Sequence, residues 1–243
     1  MKKELKRKLH GEELHGKQGR YLRSSIFGWQ DGIVSAMALL AGLTGAALKG
    51  AAISNFVIIL ATLAEIFAGS ISMSFGTYIG TKSQQEVYRA EVEREKVEIE
   101  EEPEKEEAEV REFYRAKGFT PKEIAMIVNR LKKNKAAMLD VMIKEELGGL
   151  SGDSENPSVS AVYMFVFYMI GGFIPLVPFL FLKPANAIWY AIPLTAAALF
   201  GIGAAKTYLT GRNWVKSGLE VLAVGMLATV AAYFIGTMLA GGL

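Results

Sequence analysis

The chain has 243 residues, 51% of them hydrophobic and 21% charged, with a formal net charge of +2. It contains no Cys and only two His, His10 and His15, which excludes disulfides, thiolate metal sites and nearly all imidazole ligation. Any metal site must therefore be built from carboxylates, amides, backbone oxygens and methionine sulfur.

The charges are segregated. They gather in residues 1–23 and 82–155, and the rest of the chain is nearly free of them. This is the pattern of a multi-pass membrane protein with one polar insert. Residues 1–23 form a basic leader with eight Lys+Arg and no apolar core, so a cleaved signal peptide is not expected. Ser24 to Leu48 reads as a first span, interrupted only by Asp31. Lys49-Gly50 makes a turn. Ala51 to Gly80 returns as a long apolar helix with one charge, Glu65, and no turn signal separates it from the acidic run Glu86 to Glu112. Pro157 to Leu182, Ala185 to Thr207 and Val215 to Leu239 are the remaining spans. The expected fold is all-α: five transmembrane helices, with a helical cytoplasmic insert between the second and third. The expected regions are a leader (1–23), spans one and two (24–81), an acidic metal-binding insert (82–156) and spans three to five (157–243).

Loop charges set the orientation. The leader, the insert and Lys206, Arg212 and Lys216 fall on one side, and Lys49 and Lys183 on the other. The excess of Lys and Arg places the N-terminus and the insert in the cytoplasm. Within the insert, Pro103 should break the helix that leaves the membrane. Gly118 should stop the next helix. Thr120-Pro-Lys-Glu123 has the spacing of a capping box. A third helical region should run to Leu147, with a break near Asn134, and end at Gly148-Gly149. Gly28-xxx-Gly32 and Gly76-xxx-Gly80 permit close helix approach, within one chain or between two.

The residues that carry chemistry follow from this layout. Asp31 is eight residues inside Arg23 and Met73 nine inside Lys82, so both should lie about 12–14 Å deep, at one level. Glu65 lies eight residues beyond Met73, nearer the midplane. Carboxylates inside a membrane are costly unless paired, protonated or hydrated, and so mark functional positions; the other reading is a protonated acid bonded to a neighbouring helix. In the insert, Glu95-x-x-Glu98 and Glu106-x-x-Glu109 each place two carboxylates on one helix face. A hairpin about Pro103 would bring the pairs together, and Met142 and Glu146 could close the cluster. Oxygen ligands with a thioether suit Fe²⁺ or Mn²⁺ better than Cu⁺ or structural Zn²⁺. The plain reading of such a run is a solvated acidic face. A ferritin-type centre is disfavoured because the insert lacks His.

These segments resemble the vacuolar iron transporter family of divalent-metal/proton exchangers. The resemblance runs from about Tyr21 and rests on Gly28-Trp-Gln-Asp31-Gly32, the stretch Leu63 to Met73, the two Glu-x-x-Glu pairs, Met142 to Gly148, Gly171 to Pro178 and Gly211 to Glu220. It implies a homodimer with the ion path between protomers, lined by Asp31, Glu65 and Met73. It also implies a three-helix metal-binding insert that uses Glu95, Glu98, Glu106, Glu109, Met142 and Glu146. The chain departs from the family pattern at Ser24, where an acid is common, and at Ile143, where a second Met is common.

The expected function is proton-coupled export of Fe²⁺ from the cytoplasm, extending to Mn²⁺, Zn²⁺ and Co²⁺, with no enzymatic activity and no permanently bound cofactor. Expected partners are divalent metal ions, protons, membrane lipid and a second copy of the chain, and no nucleic acid. Without a targeting extension, a prokaryotic cell membrane is the expected site. The alternatives are a Mn²⁺-selective exchanger and a membrane-anchored metal sensor or store.

Overall fold

The computed structural model describes residues 21–146 and 155–241. Most of the basic leader, with His10 and His15, and the Gly148-Gly149 stop lie outside the described residues. The described chain is helical, with no strand: α1 (Leu22–Leu48), α2 (Asn55–Glu101), α3 (Pro103–Ala116), α4 (Pro121–Leu131), α5 (Lys135–Glu145), α6 (Pro157–Phe181), α7 (Pro184–Ala205), one-turn α8 (Thr207–Thr210) and α9 (Trp214–Gly241). Helices α1, α2, α6, α7 and α9 are long and apolar enough to cross a membrane. The protein is an all-α, multi-pass membrane protein. Span ends agree with the sequence expectation to within four residues, and Leu48 and Pro157 stand where expected. The largest difference is at α2, which starts at Asn55 because the chain turns before the helix, the Ile53 N–H donating to the Ala51 carbonyl at 2.7 Å.

Two compact units divide the chain: Gly80–Ser154, and the described parts of Met1–Ile79 with Glu155–Leu243. In the membrane unit, α1 packs along α6 and α9, and α7 packs on α6 and α9. Met37, Leu40, Ile58, Ile66, Leu176 and Phe179 form the centre of its main apolar cluster. Lipid is as apolar as these side chains, so helices here are held by close fit rather than by release of water. Glycine supplies that fit. A Cβ on Gly32 would collide with the Tyr168 carbonyl, and one on Gly28 would come 2.7 Å from the Met164 carbonyl. Gly28-xxx-Gly32 thus seats α1 directly on α6. Gly76 and Gly80 meet nothing within 4 Å, so that second motif makes no close approach among the described residues. Pro175 and Pro178 lie inside α6, where the helix is buried against its neighbours. The last turn of α6 is capped from outside: Asn55 Nδ2 donates to the Phe179 carbonyl at 3.3 Å.

The insert unit is made of the end of α2 with α3, α4 and α5. Pro103 stands at the first position of α3 and ends α2. Gly118 follows α3 with φ +84°, the left-handed conformation that lets the chain turn. Thr120 then caps α4: its hydroxyl accepts from the Glu123 N–H at 3.5 Å, and the Glu123 carboxylate accepts from the Thr120 N–H at 2.8 Å. The third helical region is broken as its sequence predicts, because Asn134 caps α5 by accepting from the Ala137 N–H at 3.1 Å. Ile99, Val110, Ile124, Val128, Met138 and Met142 form the core. In water each such burial is worth about 1.5–3 kcal/mol, so this small unit has little apolar burial to spare.

Candidate metal path and insert site

In the membrane unit, α1 and α2 both lean on one residue of α6. Gly32 of α1 lies against the Tyr168 backbone, and Gly69 of α2 against its ring and hydroxyl. These two small residues leave room for the tyrosine to reach Glu65. Its O–H donates to Glu65 Oε1 at 2.6 Å. The other oxygen, Oε2, is buried and has no donor. Asp31 is half-buried and stands next to Gly32; its charge acts on both Glu65 and Tyr168.

Met73 lies elsewhere along α6. Its neighbour Ser74 donates to the Ala161 carbonyl at 2.9 Å, and Ala161 is seven residues, about two helical turns, before Tyr168. The contacts therefore group Asp31 with Glu65 and set Met73 about 10 Å towards the start of α6. The shared level expected for Asp31 and Met73 assumed that Lys82 marks the membrane edge as Arg23 does. But α2 continues unbroken to Glu101, so its charge boundary does not fix a depth. Tyr168 was missed at the sequence level. The signal available was a phenol inside an apolar span, which needs a hydrogen-bond partner there.

In the insert, the turn at Pro103 sets α3 against the end of α2. Glu95 and Glu106 become buried, 4% and 1% exposed, with their carboxyl groups in hydrogen-bonding reach of each other. As two carboxylates they offer no proton, and Glu95 Oε1 and both Glu106 oxygens lack a donor. Burial, then the nearby Glu106 and Glu146, push the Glu95 carboxyl up to about 8. Burial also raises Glu106, against which the hydrogen bond from Glu95 works in the opposite sense. Both members are thus raised by burial, and a proton belongs to the pair.

Glu98 and Glu109 are half-buried and meet over a lysine. Lys105 Nζ lies 3.8 Å from each and 3.5 Å from Glu102, and Arg94 Nε donates to Glu98 at 2.9 Å. Met142 is fully buried in the core, and Glu146 is exposed at the end of α5 with its charge acting on Glu95. Among the described residues no three Asp, Glu or His side chains converge closely enough to hold a metal as they stand. What the turn creates is two adjoining carboxylate pairs, one buried and bare, the other shallow and already holding a cation.

The VIT family's sequence profile matches residues 22–237. The chain is 37% identical over 225 residues to "Vacuolar iron transporter 1" of Arabidopsis thaliana, covering 92% of this chain and 88% of that one. It is 37% identical over 223 residues to the protein of the same name from Eucalyptus grandis, covering 91% and 88%. It is 30% identical over 225 residues to "Protein CCC1" of Saccharomyces cerevisiae, covering 88% and 68%. A match of this extent, through all five spans and the insert between them, makes the chain a member of the VIT family.

Proposed function

We propose that this protein is a proton-coupled transporter that moves Fe²⁺, and other divalent transition metals such as Mn²⁺, Zn²⁺ and Co²⁺, out of the cytoplasm. The observation that carries the reading is Glu65: an acid inside a span, bonded on one oxygen to Tyr168, bare on the other, with Asp31 beside it. The names of the relatives, "Vacuolar iron transporter 1", support iron as the cargo, and the export direction is part of the proposal. In a prokaryotic cell the corresponding membrane is the cell membrane.

In this reading Asp31 meets the ion in the membrane, and Met73 favours softer divalent ions over Mg²⁺ and Ca²⁺. Glu65 takes up a proton as the metal leaves, while the Tyr168 O–H keeps its carboxylate in place. A second copy of the chain completes the path, because five spans with acids on the first two enclose a pore poorly alone. The insert, cytoplasmic by the loop charges, collects the ion through Glu95, Glu98, Glu106, Glu109, Met142 and Glu146.

The test is uptake of Fe²⁺ and Mn²⁺ into proteoliposomes with and without an imposed pH gradient. Metal-dependent flux that the gradient accelerates is the expected result. Metal binding without flux would leave a membrane-anchored sensor or store, and flux indifferent to the gradient would remove the proton from the mechanism.

A further inference from the structure

The connection between α7 and α9 is a formed elbow that transport of the ion leaves without a task. A Cβ on Gly203 would lie 2.5 Å from the Ser217 carbonyl, so the end of α7 sits backbone against backbone on the start of α9. Gly211, with φ +64°, closes α8 by donating its N–H to the Thr207 carbonyl at 2.8 Å. Asn213 then caps α9, its side-chain oxygen accepting from the Val215 and Lys216 N–H groups at 2.9 and 3.1 Å. Trp214 packs edge-on against Phe200, with ring centroids 6.0 Å apart. These contacts hold three cations at one end of the helix pair. Lys206 is about one turn past Gly203, Lys216 is next to Ser217, and Arg212 lies in the turn between them.

None of the three cations is paired with an acid among the described residues. The nearest acid in sequence, Glu220, is one turn further along α9 and makes no ion pair with Lys216. The surface around them has the character of a bilayer interface. Tyr208 is 93% exposed and Trp214 58%, and such rings settle at the level of the headgroups. Just inside, Val215 and Leu219 are exposed on a helix long and apolar enough to cross a membrane. We propose that this elbow binds the headgroup phosphate of an anionic phospholipid, held by Lys206, Arg212 and Lys216, with its acyl chains along the outer face of α9. The guanidinium offers a fork to the phosphate oxygens and the ammonium groups add point charges. Free phosphate would meet the same cations but would gain nothing from Trp214, Val215 and Leu219, so the lipid is the better occupant.

The experiment uses the full chain carrying Trp189→Phe, in phosphatidylcholine vesicles with a rising fraction of brominated phosphatidylglycerol, whose bromine quenches tryptophan in contact with it. Quenching should be half complete well before phosphatidylglycerol makes up half of the lipid, and raising the salt should weaken this enrichment. Brominated phosphatidylcholine should show no enrichment. Lys206→Gln, Arg212→Gln and Lys216→Gln should each cut the enrichment about fivefold. Lys49→Gln with Lys183→Gln, which removes cations from the opposite face, should leave it unchanged. Trp214→Phe should abolish the enriched quenching, leaving only that of Trp29. Equal quenching by the two lipids, or an enrichment indifferent to salt, overturns the proposal on the unsubstituted elbow. Enriched quenching that survives Trp214→Phe, or that falls as far in the Lys49 and Lys183 variant, would put the lipid elsewhere and overturn it too. Inorganic phosphate should displace no more lipid than chloride at equal ionic strength; stronger displacement would make the elbow a site for free phosphate and overturn the lipid.

Discussion

The two units treat their carboxylates in opposite ways. In the membrane unit Glu65 is matched with a neutral donor, the Tyr168 hydroxyl, which orients the charge without cancelling it. In the insert the shallow acids are matched with cations: Lys105 among Glu98, Glu102 and Glu109, Lys132 on Glu107, Lys144 on Asp140, and Lys117 on Glu145. The difference follows from solvent. In water a lysine is a cheap and exchangeable partner, worth little at the surface and readily displaced. Inside a bilayer a second buried charge is costly, and a hydroxyl serves instead. Among the described residues only Glu95 and Glu106 cross this division, being buried within the insert and lacking donors on three of their oxygens.

The largest effect that would sharpen the contrast is expected at Asp31. Asp31→Ala should lower metal flux about 100-fold, the upper end for a group removed at a metal site, while metal binding by the full chain persists. Flux near wild type would show that the membrane acids are structural. Tyr168→Phe comes next. It leaves Glu65 buried with two bare oxygens, at a cost of about 1–2.5 kcal/mol or roughly 5- to 70-fold in flux. Equal flux in Tyr168→Phe and wild type would mean the hydrogen bond does not position Glu65.

The third effect is a pH dependence confined to the insert. Glu95 holds its proton up to about pH 8, against an ordinary value near 4.5. A metal ion has to displace that proton, so affinity should rise by up to about 10-fold per pH unit below pH 8 and level off above it. Stability of the metal-free insert runs the other way. The raised value means that the stabilisation is fully present below about pH 4.5, and it is lost as pH climbs through about 8. Glu95→Gln should flatten both slopes, as read by calorimetry and by hydrogen exchange in α3. The smallest effect is at Lys105. Its ammonium occupies the place between Glu98 and Glu109 that an added cation would take, so Lys105→Gln should raise metal affinity about two- to fivefold, the scale of a surface ion pair. A loss of affinity instead would mean the lysine organises the acids rather than competing for them.

How much of this was legible in the sequence depended on how local the signal was. The spans, the Pro103 break, the Thr120 capping box and the Asn134 restart are written in neighbouring residues and appear where those residues stand. Gly28-xxx-Gly32 was equally readable, but Gly76-xxx-Gly80 shows that the spacing alone does not name a partner. What stayed hidden was pairing between elements. Tyr168 is 103 residues from Glu65, and nothing in either stretch points to the other. Lys105 reads as one more charge in a mixed run until the turn sets Glu98 and Glu109 on either side of it. The level of Met73 was misjudged because depth was counted from charges, whereas α2 runs past its charge boundary as one helix.

What can move in the membrane unit follows from where backbones touch. At Gly32 with Tyr168, and at Gly42 with Gly236, main chain meets main chain, and no side chain stands between to change its rotamer. Helices α1, α6 and α9 are therefore expected to travel as one rigid block. The membrane part of α2 is held differently, through the Ile66 side chain against Gly172, the Tyr168 ring against Gly69 and three hydrogen bonds that each involve a side chain. Such contacts can slide by a rotamer step, as in shear motions between packed helices. Alternating exposure of Asp31 would then come from α2 shifting against a fixed block. Spin-label pairs across α1 and α9 should keep their separation with and without metal, while pairs across α1 and α2 change theirs; a change in the first pair would place the hinge elsewhere.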